Sequence, residues 1–221
     1  MFGFFHCSVK TGVLKCLEAV TPKQLLEEVV EGVLKSVKKT LHVSDYPKGL
    51  AQKLKDLEAI VSLQQESGKA RVVGIVGLGG VGKTTLAKEF FNHHRINYKR
   101  CCFLFDVRES QLNFMQSKLL KDLAQWDGQI HSPDEGKVKL RRYLKSTPAL
   151  IILDDVDHSK QLDALLLPAK DVLHSSSLIL VTSRDKRVLI TSDIAESSIY
   201  TLKGLNPQHS EELFCLSCCR I

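Results

Sequence analysis

The chain has 221 residues, of which 43% are hydrophobic and 25% are charged, as in ordinary globular proteins. Its formal net charge of +6 at pH 7 is small for this length, and its acidic and basic residues are interspersed. Because nucleic-acid binding requires basic residues clustered on one face, we expect no nucleic-acid partner. The apolar start at residues 1–7 is too short for a membrane span or a signal peptide, so we expect a cytoplasmic protein.

An amphipathic helix is predicted from Thr21 to Leu41. Thr21 is a suitable N-cap, Pro22 suits the first helical position and Gln24 completes a capping box. Apolar residues then recur at helical spacing, with Lys and Glu on the opposite face. Such a helix normally packs on its own domain, but it could instead bind a partner chain. We therefore assign residues 1–42 to an N-terminal helical segment.

A turn-rich connector follows at residues 42–49, because Pro47 favours extended geometry before it and Gly49 permits unusual dihedrals. The next apolar residues recur at helical spacing and predict a second helix. They are Leu50, Leu54, Leu57 and Val61.

The strongest motif in the chain is a glycine-rich loop between a strand and a helix. Residues Arg71–Val76 form a β-branched apolar run typical of a buried parallel strand, and the pattern G-x-x-x-x-G-K-[ST] follows it. Glycines lack a Cβ, so backbone N–H groups can converge on phosphate oxygens beside the positive end of the following helix. A glycine-rich turn can match by chance, but the flanking strand and helix argue against this. The chain is therefore predicted to bind a nucleoside phosphate.

Each part of this loop has an expected task. The Lys83 ammonium would reach the β- and γ-phosphates, and the Thr84 hydroxyl would hold Mg²⁺. The candidate cofactor-binding residues are Gly77, Leu78, Gly79, Gly80, Val81, Gly82, Lys83, Thr84 and Thr85.

Strands and helices alternate beyond the loop. Predicted strands cover Cys101–Phe105, Ala149–Leu153, Leu178–Thr182 and Ser198–Leu202, and predicted helices cover Gln111–Trp126, Asp134–Lys145 and a last segment opened by Asn206 and Pro207. Such alternation implies a parallel sheet that is covered on both faces. The predicted fold class is α/β, a P-loop NTPase with a five-stranded, mostly parallel sheet, helices on both faces and a preceding N-terminal helical segment. We expect Ala149–Leu153, the most apolar strand, to be central.

Two acidic residues end that most apolar strand. Ligands collect at the carboxyl ends of strands in open α/β sheets, so we expect Asp154 to hold Mg²⁺ opposite Thr84. Asp155, one position further, could polarise an attacking water. The alternative is that both aspartates cap the following helix, but a complete phosphate loop about seventy residues upstream favours the magnesium site.

An arginine follows the next predicted strand. Arg184 would leave the carboxyl end of a neighbouring strand and face the terminal phosphate, where it could sense a γ-phosphate or stabilise charge during transfer. The alternative is a solvent-facing arginine that starts a helix. Geometry expected from the sequence leaves these two alternatives open.

The seven cysteines indicate reduced, cytosolic thiols in a nucleotide-binding α/β chain. Cys215 and Cys218 have the spacing of half a metal or redox site, but no second Cys or His pair is suitably placed. We therefore expect ordinary thiols on a helix face.

Several motifs in order resemble the NB-ARC domain of plant disease-resistance proteins, in the form found in receptors with a TIR domain. The resemblance covers approximately residues 43–217. The motifs that carry it, besides the phosphate loop, are Asp45–Leu50, Phe103–Glu109, Leu153–Asp157, Leu180–Asp185 and Tyr200–Asn206 with Glu211–Phe214. Family members also have a TIR domain before this region and helical and winged-helix subdomains after it, and we expect this chain to lack them before Thr21 and after Ile221.

The resemblance implies a switch that rests with ADP, exchanges it for ATP and then oligomerises. It implies ADP or ATP with Mg²⁺ as cofactors, metal-site residues Thr84 and Asp154, and Lys83, Asp155 and Arg184 as candidate catalytic residues. Residues 43–221 would form the nucleotide-binding subdomain, incomplete at its C-terminus.

Three functions remain open from the sequence: a nucleotide switch domain in defence signalling, a slow Mg-dependent ATPase, and a non-enzymatic truncated adaptor. The adaptor would bind full-length immune receptors through the N-terminal helix. An adenine nucleotide is the expected small-molecule partner, and we expect no membrane span.

Overall fold

The computed structural model describes residues 40–44, 49–64, 69–144, 148–166 and 173–218. From Leu41 onward these residues belong to one compact unit. The predicted helix Thr21–Leu41 lies outside them except for its last two residues, Thr40 and Leu41, which are not helical.

The described elements follow the predicted alternation with small shifts at their ends. The strands are β1 (Arg71–Val76), β2 (Arg100–Leu104), β3 (Ala149–Val156), β4 (Leu178–Ser183) and β5 (Ile199–Thr201). The helices are α1 (Leu50–Leu63), α2 (Lys83–His94), α3 (Leu112–Ala124), α4 (Pro133–Tyr143), α5 (Ser159–Leu165), α6 (Lys186–Thr191) and α7 (Pro207–Cys218). Single 3-10 turns lie at Arg95–Asn97, Val107–Glu109 and Glu196–Ser198.

The five strands form one sheet in the order β2-β3-β4-β1-β5, and every neighbouring pair is parallel. This confirms the predicted five-stranded parallel sheet. The middle position belongs to β4, so the expectation that β3 would be the central strand was wrong by one place. Both β3 and β4 have a neighbouring strand on each side and are buried on both faces. Apolar composition reflects this burial and does not indicate the order of the strands.

Two apolar layers cover the sheet. Along β4, Ile179 and Val181 belong to the layer that helices α3 to α6 complete, whereas Leu178 and Leu180 belong to the layer formed with α1 and α2. This alternation follows from the two-residue period of a strand. Helices therefore lie on both faces of the sheet, as the sequence predicted.

The strand order determines which loops meet. Because β4 pairs with β1 on one side and β3 on the other, the segments that follow these three strands share the carboxyl edge of the sheet. The glycine-rich loop follows β1, the acidic pair lies at the end of β3, and Arg184 follows β4. This edge is where ligands bind in open parallel sheets.

Candidate nucleotide site

The glycine-rich loop has a backbone that its glycines make possible. Gly80 and Gly82 have φ angles of +74° and +99°, in the left-handed region that side chains disfavour. Gly77 is required for a different reason, because a Cβ there would lie 2.7 Å from the carbonyl oxygen of Leu202. Helix α2 begins directly after Gly82 with no side-chain cap, an arrangement suited to an anion at its N-terminus.

Lys83 lies folded back over this loop. Its ammonium donates hydrogen bonds to the carbonyl oxygens of Gly77 at 2.9 Å and Leu78 at 2.8 Å, and the residue is buried. Burial lowers the pKa of Lys83, the positive charge of Arg184 lowers it further, and the charges of Asp155 and Asp154 oppose the shift. An ammonium has three donors, so the loop carbonyls leave one for a ligand.

Asp154 lies beside Thr84, the other predicted magnesium-site residue. The Thr84 hydroxyl donates to Asp154 Oδ1 at 3.1 Å, and the carboxylate is only 1% exposed. Burial raises the pKa of Asp154; hydrogen bonds from Thr182 and Thr84 oppose the shift, and the nearby charges of Asp155 and Asp106 add to it. A hydroxyl beside a carboxylate is an oxygen donor set that fits Mg²⁺.

Thr182 is a site residue that the sequence analysis missed. Its buried hydroxyl donates to Asp154 Oδ1 at 2.7 Å and accepts from the backbone N–H of Asp155 at 2.9 Å. The register between β3 and β4 shifts between Leu153 and Val156, and Asp155 has a φ of +55°. Such a bulge places two residues of one strand opposite one residue of its partner. In the sequence, Thr182 follows four apolar residues, Leu178–Val181, and this change to a polar residue was the available signal.

Asp155 and Arg184 form a two-pronged ion pair. The Arg184 guanidinium donates to Asp155 Oδ1 through Nε and to Oδ2 through Nη2, both at 3.1 Å. Its Nη1 atom lies 4.0 Å from where a Cβ would stand on Gly79, so the guanidinium lies beside the loop. Both carboxylate oxygens of Asp155 accept from Arg184, and each keeps a second acceptor site that a water would use if Asp155 acts as the predicted hydrolytic base.

A cavity of about 370 Å³ opens beside the loop, within the usual size range of small-molecule sites. Gly80, Val81, Gly82 and Thr85 line one side of it, and Leu50, Lys53 and Leu205 are among the residues on the others. Lys53 donates to the carbonyl oxygen of Lys203 at 3.2 Å, and burial lowers its pKa. The cavity is therefore bounded by α1, the loop and the segment after β5.

A second cavity and the cysteine pair lie outside this site. A cavity of about 540 Å³ lies at the opposite end of β1, beside Arg71 and Ile194, away from the loop. Cys215 and Cys218 are exposed on α7, and among the described residues they belong to no group that could hold a metal ion. Within the described ranges, no helix is both long and apolar enough to cross a membrane.

Comparison with known proteins gives a family match over most of the chain. The model of the NB-ARC domain matches residues 53–220. The disease resistance protein RPV1 of Vitis rotundifolia is 32% identical over an alignment of 198 residues that covers 86% of this chain and 14% of that protein. This chain therefore spans a small part of the length of that relative.

Solved structures share the fold at low sequence identity. Cdc6p from Pyrobaculum aerophilum has a TM-score of 0.57 at 12% identity, over 82% of this chain and 52% of that chain. The ORC2 protein of Aeropyrum pernix, solved as ADPNP–ADP complexes, has a TM-score of 0.52 at 14% identity, over 78% and 52% of the two chains. These likenesses confirm the predicted P-loop NTPase fold.

Proposed function

Because the chain belongs to the NB-ARC family, we propose that it is an ADP- and ATP-binding switch domain acting in defence signalling in the plant cytoplasm. The observation that carries the proposal is the meeting of Lys83, Thr84, Asp154 and Arg184 at one edge of the sheet. These four side chains come from three separate stretches of sequence, and parallel pairing of β1, β4 and β3 brings them together.

The proposed mode of binding divides the nucleotide between two parts of the site. Phosphates would lie on the N–H groups of the loop and at the start of α2, within reach of Lys83. The nucleoside would enter the cavity between α1 and the segment after β5. Mg²⁺ would be held by Thr84 and Asp154, and there it would neutralise charge between the phosphates.

The ion pair between Asp155 and Arg184 supports a switch. A ligand shifts a conformational equilibrium only if it interacts differently with the two states. With ADP, Arg184 can stay on Asp155 as it does in the structure. With ATP, the γ-phosphate would compete for the same guanidinium, and a released Asp155 would mark the second state.

Measuring the nucleotide content of the purified chain tests this proposal. The chain is denatured, its nucleotides are separated by chromatography, and the yield is compared with that of Lys83→Ala. We expect close to one adenine nucleotide per wild-type chain and a loss in Lys83→Ala. Lys88→Ala is the matched control, because Lys88 lies on the same helix and contacts the Phe105 ring instead of the loop. Wild-type chain that is correctly folded and binds no added ADP or ATP would contradict the proposal.

A slow Mg-dependent ATPase is the second candidate, because the three candidate catalytic residues share this edge. Lys83 and Asp155 both lie near the Arg184 charge, and a phosphate-binding lysine, a residue that orients water and an arginine are parts that phosphoryl transfer uses. Magnesium-dependent phosphate release that is lost in Asp155→Ala would support it. Release no faster than that of Lys83→Ala would rule it out and leave the switch proposal standing.

A further inference from the structure

Three side chains outside the nucleotide site converge on one point between α1 and α2. Glu58 lies on α1, and His93 and His94 form the last turn of α2. The Glu58 Oε1 atom is 2.7 Å from His94 Nε2 and 3.2 Å from His93 Nδ1. All three ligand atoms lie within 4.8 Å of one another. Among the described residues, no other group of three His, Cys, Asp or Glu side chains meets in this way.

The packing around these residues holds them in place. The neighbour of Glu58 along α1, Leu57, is fully buried in the same apolar layer as Phe90 of α2. The His94 ring stacks on the Phe90 ring, with centroids 4.2 Å apart. The two histidines also lie at the carbonyl end of α2, whose partial negative charge favours a cation. Two packed helices thus present the three ligand atoms.

The chemistry of this set indicates a particular class of metal. Two imidazole nitrogens and one carboxylate oxygen suit zinc, whereas Mg²⁺ and Ca²⁺ select oxygen ligands. A tetrahedral zinc ion with ligands at about 2.0–2.2 Å would hold its ligand atoms roughly 3.3–3.6 Å apart, so small side-chain rotations suffice. The His93 side chain is 63% exposed, so solvent and dissolved metal ions reach the cluster.

We propose that Glu58, His93 and His94 form a zinc site that joins α1 to α2. The start of α1 contributes Leu50 and Lys53 to the cavity beside the loop, and the start of α2 carries Lys83. Zinc would therefore fasten the second half of α1 to the last turn of α2, and these two helices frame the candidate nucleotide site. The proposal does not depend on the proposed nucleotide function, because it uses none of the residues at that site.

Titration calorimetry with Zn²⁺ alone tests the site in the full chain after removal of metals by a chelator. The chain carries Cys215→Ser and Cys218→Ser, so that the exposed thiol pair of α7 does not bind the added zinc. We expect one zinc site that His94→Gln and His93→Gln each weaken at least about 100-fold, since even indirect changes around a metal weaken binding 10- to 100-fold. His131→Gln, at an exposed histidine outside the cluster, should bind as the parent does.

Thermal unfolding with and without Zn²⁺ provides a second measurement. Zinc should raise the melting temperature of the parent chain and of His131→Gln but not that of His93→Gln, because a ligand of the folded state stabilises it. Since the His93 side chain is mostly exposed, its replacement is not expected to prevent folding. Equal zinc affinity in His93→Gln, His94→Gln and the parent would overturn the proposal. Absence of zinc binding by the parent chain would also overturn it. The three side chains would then only link the two helices by hydrogen bonds.

Discussion

The Thr182 hydroxyl donates a hydrogen bond to Asp154 at 2.7 Å. The same oxygen accepts the backbone N–H of Asp155 at 2.9 Å, so one side chain of β4 fixes the positions of both aspartates on β3. We expect Asp154 to hold magnesium and propose that Asp155 takes part in switching. Thr182 therefore acts as a positioning residue for both.

Replacing Thr182 by valine should destabilise the fold and disturb the magnesium site. Valine keeps the shape but leaves the part-buried N–H of Asp155 without its acceptor, which costs about 1–3 kcal/mol. The free energy of unfolding, measured by urea denaturation, should fall by that amount. Thr182→Ser keeps the hydroxyl and loses one methyl group, about 0.8 kcal/mol. Equal stability of Thr182→Val and wild type would show that the hydroxyl does not hold the aspartates.

Asp154 gives the site a pH dependence whose sign follows from its burial. Burial raises the pKa of Asp154, opposed by hydrogen bonds from Thr182 and Thr84. Between the ordinary carboxyl pKa of about 4 and the raised value, the folded chain keeps a proton that the unfolded chain has released. The free energy of unfolding contributed by this group therefore falls as pH rises through that window.

Asp154→Asn should remove this dependence. In magnesium-free buffer with chelator, the variant should gain stability relative to wild type as pH rises through the window, and the difference should then stay constant to pH 7. The asparagine oxygen can still accept from both threonine hydroxyls. Asp134→Asn, at an exposed side chain, is the control. If the stability of Asp154→Asn relative to wild type falls as pH rises, the pKa of Asp154 is not raised in the folded chain. With Mg²⁺ and nucleotide added, wild type and Asp134→Asn should gain more stability than Asp154→Asn does.

Gly82 allows the effect of backbone strain to be measured without steric crowding. A Cβ on Gly82 would meet no atom within 4 Å, but φ is +99°. Gly82→Ala should therefore lower the free energy of unfolding by about 1–2 kcal/mol through backbone strain alone. Gly204→Ala is the matched control, because a Cβ there also meets nothing and its φ is not in the left-handed region. If both variants unfold at the same urea concentration, strain at Gly82 is not the reason for the glycine.

The sequence predicted the elements, and it named most of the residues that meet at the candidate site, because local signals were strong. The G-x-x-x-x-G-K-[ST] pattern located the loop and the start of α2, and alternating segments predicted the parallel sheet. It did not predict that β4 would be the middle strand, because β3 and β4 are both apolar and strand order depends on long-range pairing. Thr182 was missed for the same reason. Its importance comes from a bulge in the neighbouring strand, and no residue near it in the sequence signals that register shift.

Asn92 connects the start of the described fold to helix α2. Its side-chain oxygen accepts from the Leu41 N–H at 2.8 Å, and its amide donates to the Leu41 carbonyl at 2.7 Å. Leu41 and Val43 also pack against the apolar layer formed with α1 and α2, and Ser44 beyond them lines the cavity beside the loop. The amide of Asn92 thus holds the backbone that leads to one wall of the candidate nucleotide site.

Asn92→Ala should release this segment without unfolding the sheet. Hydrogen exchange at the Leu41 amide should speed up by roughly fivefold, the factor that corresponds to a net hydrogen bond of about 1 kcal/mol. Amides of β4 should keep their protection, since their pairing with β1 and β3 is unchanged. Asn97→Ala, at an exposed position after α2, is the control and should leave Leu41 protected. If Leu41 exchanges at the wild-type rate in Asn92→Ala, the apolar contacts of Leu41 and Val43 hold the segment by themselves, and the wall of the cavity does not depend on Asn92.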